Sequence, residues 1–168
     1  MDKVAALFMF LAVVGLVGYG MYTDATTPEN PFEQDPIRVN LTYGENVSHH
    51  DYSSEVNQTL AYWMDNDERY GNYSANWTVV SSDADLTIEF VDEINVCGMD
   101  VVVLDEFAGC APILNTSHNP DHVSIRIVAR ANDSAVLRTL KHEFGHLHGL
   151  NHSDSPQPLM DGEVDYAN

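Results

Sequence analysis

The stretch HEFGHLHGLNH, residues 142–152, places four histidines, one glutamate and two glycines within eleven positions. It continues an apolar-periodic run, SAVLRTLK, that Asn132 or Asp133 can cap at its start. At about 100° per residue, Leu137, Leu140, Phe144 and Leu147 fall on one face, which predicts the side turned to the core. His142 and His146 lie on the other side, four residues and one turn apart, so both rings can reach one ion. Glu143 stands beside them. It is too displaced to share their ion as a ligand, yet it reaches a water on that ion. Gly149 permits the left-handed turn that ends a helix, and His152 then returns as a third nitrogen donor. Three protein ligands with an open fourth place are the pattern of a catalytic zinc rather than a structural one. His148 points away from the ligand pair and reads as a surface histidine.

Upstream, IRVNLTY (37–43) alternates apolar and polar residues, which predicts a half-buried strand. SSEVNQTLAYWMDNDERYG follows with Val56, Leu60, Trp63 and Met64 at helical spacing, Ser53 or Ser54 as cap and Gly71 as stop. WTVVS, DLTIEFVDEI, DVVVLDE and VSIRIVAR are four further β-rich runs. The order predicts an α+β domain: a twisted mixed β-sheet, an N-terminal helix, an active-site helix and a short irregular C-terminal part. VSIRIVAR, directly upstream of that last helix, is the strand expected to offer its edge to an extended peptide. Cys97 and Cys110 have no CxxC spacing and are expected to form a disulfide.

The chain has 168 residues, enough for one domain, expected over residues 37–168. It carries 26 acidic residues against 7 basic ones, a formal charge of −19, which argues against a nucleic-acid partner. Such charge destabilises a compact state in dilute salt, and a Debye length of about 3 Å at 1 M salt would relieve it. The composition therefore suggests a halophilic protein; an acidic secreted protein at ordinary salt is the other reading. Val4 to Tyr22 is uncharged and close to membrane-spanning length. Residues 1–23 are expected to be an uncleaved N-terminal membrane anchor or a cleaved signal peptide, and 24–36, with three prolines, a linker. Either reading places the domain on the extracellular face of the membrane or in the medium. Eight of thirteen asparagines begin Asn-x-Ser/Thr sequons, at Asn40, Asn46, Asn57, Asn72, Asn76, Asn115, Asn132 and Asn151. About two would arise by chance, so a glycoprotein is expected, with Asn151 left bare beside the metal.

HExxHxxGxxH fixes five positions and should arise by chance in a chain this long about once in ten thousand times. HEFGHLHGLNH resembles the long zinc signature of the metzincin metalloproteases. HSDSPQPLM, with Ser153 after the third histidine and Met160 eight residues beyond it, is most similar to the matrixin branch. The resemblance implies that His142, His146 and His152 bind one catalytic Zn2+, that Glu143 is the general base, and that Met160 forms the floor of the site in a tight turn. Asp161-Gly162 departs from the family's Tyr-Pro, and Tyr166 is a candidate replacement for the tyrosine of the pocket wall. The short stretch after Met160 implies that the family's last helix is missing, and no cysteine-bearing latency segment is expected. A structural Ca2+ or second Zn2+, common in matrixins, has candidates in His118, Asp121 and His122 and in His49-His50; surface histidines are the preferred reading of both.

The expected protein is a monomeric zinc endopeptidase acting on polypeptides, tethered through its N-terminal segment if that stays uncleaved. Zinc-activated water would attack the peptide bond with Glu143 as base, and no covalent intermediate is needed. The competing reading is a non-catalytic extracellular zinc-binding module, against which the presence of Glu143 argues. An aminopeptidase would need a group to hold a free amine, and the sequence singles none out.

Overall fold

The computed structural model describes residues 30–32, 34–47, 50–95, 97, 108–114, 120–129 and 132–161. The expected anchor at 1–23, most of the linker, the β-rich run 100–106, His49, His118, Asn115, Gly162 and Tyr166 lie outside the described residues. Among the described residues the chain is α+β, with a mixed five-stranded sheet and two helices. In order these are β1 (Ile37–Tyr43), α1 (Ser53–Tyr70), β2 (Trp77–Val79), β3 (Leu86–Val91), β4 (Gly109–Cys110), β5 (Val123–Val128) and α2 (Asp133–Leu147).

The sheet runs β2-β1-β3-β5-β4. β1, β2, β3 and β5 are mutually parallel, and β4 alone is antiparallel, pairing Gly109 with Ile127 and Cys110 with Arg126. Period-two patterning decides which face is buried. Ile37 and Val39 of β1, Leu86, Ile88 and Phe90 of β3, and Val123, Ile125 and Ile127 of β5 form the buried face. VSIRIVAR is therefore an inner strand, paired on its outer side with β4 at Arg126 and Ile127; among the described residues the sheet's two edge strands are β2 and β4.

α1 packs through Val56, Leu60 and Trp63, whereas Met64 is 41% exposed. Neither serine caps it: Tyr52 holds the cap position, and Asp51 Oδ1 accepts from the Ser53 amide at 3.0 Å. Gly71 ends α1 in extended backbone rather than in a left-handed turn. Its glycine is required by space, since a Cβ there would lie 2.9 Å from His148 Nδ1. α2 begins as expected at Asn132, whose side chain accepts from the Ser134 amide at 3.0 Å. Its core face is Val136, Leu140, Phe144 and Leu147, with Leu137 at the margin. The Trp63 indole donates to the Lys141 carbonyl at 2.9 Å and locks the two helices together.

Phe32 is buried and meets Trp77 edge-on at 5.9 Å, so the folded body begins ahead of Ile37. Cys97 and Cys110 are disulfide-bonded. Among the described residues no helix is long and apolar enough to cross a membrane.

Candidate metal centre

α2 carries His142 and His146 one turn apart, and the turn after it brings back His152. Gly149 has φ +82°, the left-handed conformation that the sequence required of it. The donor atoms of His142, His146 and His152 all lie within 4.8 Å of one another, a group that could hold a metal ion. Among the described residues no other such group occurs; His122 bonds the Ala84 carbonyl, and His50 pairs with Asp133 at 3.0 Å.

Each helical histidine is fixed through its far nitrogen. His142 Nδ1–H donates to the Leu159 carbonyl at 2.8 Å, and His146 Nδ1–H donates to the Leu150 carbonyl at 2.7 Å. Donation from Nδ1 leaves the lone pair on Nε2, the arrangement that orients a metal-binding imidazole. His146 Nε2 then faces His152 Nε2 at 3.1 Å. Two basic nitrogens approach that closely only with a cation or proton between them, so the donor set fits a metal. Burial pushes His142 down and His146 down to about 4, which keeps both neutral and able to ligate at ordinary pH.

Glu143 is only 5% exposed. Burial pushes its carboxyl up to about 8, and a hydrogen bond from the Ala111 amide offsets part of this. Any side chain at Gly109 would strike the Glu143 carboxylate and Thr139, so β4 lies directly against the acid. Leu114 N–H donates to the His146 carbonyl at 3.0 Å, extending the contact along α2.

Met160 is fully buried, with its sulfur against Gly145. A Cβ at position 145 would collide with that sulfur, so Gly145 admits the methionine beneath the helix. The sequence reading missed Gly145 and Gly109; close backbone approach was the only signal either could have given.

His148 is not at the surface. It is fully buried, stacked on Trp63 at 4.8 Å and Tyr73 at 4.9 Å, with Trp77 edge-on at 5.8 Å. Its direction away from the ligands was read correctly, but α1 and the Tyr73–Trp77 segment cover that side. Neither ring nitrogen has a well-aligned partner, the Tyr73 backbone offering only a weak one. Burial pushes its pKa down to about 4. Compared with models of known protein families and with curated proteins, the sequence matches none.

Proposed function

We propose that this chain is a zinc-dependent endopeptidase, related to the matrixin branch of the metzincins, that acts on polypeptides outside the cell. One observation carries the reading: the donor atoms of three imidazoles, two on α2 and one beyond its end, lie within 4.8 Å of one another, and Glu143, next to His142 on α2, is a buried acid. His142, His146 and His152 would hold the ion, leaving a fourth place open. The kinship rests on HExxHxxGxxH and on Met160 seated beneath α2.

When bound, zinc supplies Lewis-acid chemistry, lowering the pKa of water and polarising the peptide carbonyl. Glu143 accepts a proton on its carboxylate from the attacking water and passes it to the leaving amine nitrogen. A dication beside Glu143 favours its ionised form, countering the burial that raises its pKa in the metal-free protein. The Ala111 amide favours the same ionised form. β4, at the sheet's edge and against Glu143, is where an extended peptide would add as a further strand.

The test is cleavage of an unfolded protein substrate in molar salt, with and without a chelator. Glu143→Ala is expected to lower kcat about a thousandfold while keeping one zinc per chain. A metal-loaded wild-type protein that cleaves nothing would instead point to the non-catalytic zinc module.

A further inference from the structure

The segment 108–114 lies along α2, anchored at its far end by Leu114, which is buried in the core and donates to the His146 carbonyl at 3.0 Å, whereas the stretch beside Glu143 has little pairing among the described residues. Its strand, β4, has two residues, joined to β5 by the pairs Gly109–Ile127 and Cys110–Arg126. One more bond, from the Val128 amide to the Ala108 carbonyl at 2.8 Å, supports its start. Strands this short are marginal without outside support. The outside support is covalent: Cys110 is bridged to Cys97, which lies just past Ile94 beyond β3. Gly109, the residue before Cys110, packs directly against the Glu143 carboxylate, and the amide of Ala111, the residue after it, favours the ionised form of the same group. Glu143 is thus flanked by the two neighbours of a bridged cysteine. The histidines are anchored elsewhere, His142 by Leu159 and His146 by Leu150.

We propose that the Cys97–Cys110 bridge is a positioning device for Glu143, and that a dithiol able to reduce it disables the hydrolase while the three-histidine group stays assembled. This rests on the endopeptidase reading. Both cysteines are half-buried rather than sealed in the core, so a reductant reaches them. One thiolate of the dithiol attacks the bridge, giving a mixed disulfide, and its second thiolate resolves it. Cys97 and Cys110 gain two electrons and two protons, and the dithiol leaves as its cyclic disulfide. Among the described residues the segment then keeps its bonds to β5 and α2 and the burial of Leu114, while Gly109 and Ala111 lose the tether that holds them against the carboxylate.

The test uses the zinc-loaded full chain, oxidised, reduced with a phosphine that binds zinc weakly, and as a Cys97→Ser/Cys110→Ser double variant. Reduction is expected to lower kcat by about tenfold to a hundredfold, with zinc content unchanged and activity restored on reoxidation. In the metal-free protein, amides of residues 108–114 should exchange about tenfold faster after reduction while residues 139–147 keep their protection. Full kcat in the reduced protein overturns the proposal. So does loss of zinc or of α2 protection in step with activity, which would make the bridge a clamp on the whole fold. If the oxidised protein cleaves nothing, the endopeptidase reading fails by itself. The exchange measurement still decides the strap: unchanged rates at 108–114 refute it, and selectively faster ones support it.

Discussion

At His148 a titratable ring is enclosed by three aromatic residues and left without good hydrogen bonds. Its folded pKa of about 4 lies below the ordinary 6.5, so the unfolded chain binds the extra proton first as pH falls. Stability from this site is therefore complete above about pH 6.5 and declines as pH drops toward 4, by at most about 3 kcal/mol. His148→Phe removes the unpaired nitrogens and is expected to add about 1 kcal/mol at pH 7. The variant should also flatten the loss between pH 6.5 and 4, as read by urea unfolding at several pH values. An unchanged acid limb would refute this. Glu143 runs the opposite way. Its folded pKa is raised to about 8, so in the metal-free protein its favourable contribution holds below about pH 4.5 and is lost as pH rises through 8. Glu143→Gln is expected to stabilise the metal-free protein at pH 8 by roughly 4 kcal/mol and to change little at pH 4. His148 was misread because helical periodicity gives a side chain's direction, whereas burial depends on what other elements bring to that side.

At the level of elements, α2 and its terminal turn were the most legible part of the chain. Asn132 caps one end, Gly149 turns the other, and the face between them follows a 3.6-residue repeat. Gly149→Ala is expected to be costly twice over. The left-handed φ of +82° disfavours any Cβ, and that Cβ would lie 2.8 Å from the Leu114 carbonyl. A loss of about 2 kcal/mol in stability, together with weaker zinc binding as His152 is displaced, is the expected outcome. Calorimetry and competition with a chelator check both halves, and unchanged zinc affinity would show that the turn does not set His152. β4 was the least legible element. A two-residue strand has no period to detect, and its pairing depends on partners in β5 that are distant in sequence, Ile127 for Gly109 and Arg126 for Cys110. Its role beside Glu143 is written only in small residues, Gly109 and Ala111, that let backbone approach backbone.

For the molecule as a whole, strand character and the buried face follow from apolar alternation, which is why β1, β3 and β5 were legible as strands, whereas their parallel pairing and register carry no such local signal. Charge acts at this scale too. With a formal charge of −19 and only 7 basic residues, the ion pair of Arg38 with Asp85 at 2.7 Å is a local exception to mutual repulsion. Raising KCl from 0.1 to 2 M is expected to raise the thermal midpoint by about 5 °C or more as screening shortens to a few Å. A midpoint that stays flat or falls would remove the case for adaptation to brine. The chain has two tryptophans, and both rings lie against the imidazole that closes α2. Their ultraviolet emission is therefore an intrinsic optical gauge of the far end of α2. A proton arriving on that imidazole would quench both indoles at once, so acid loosening can be followed with no attached dye.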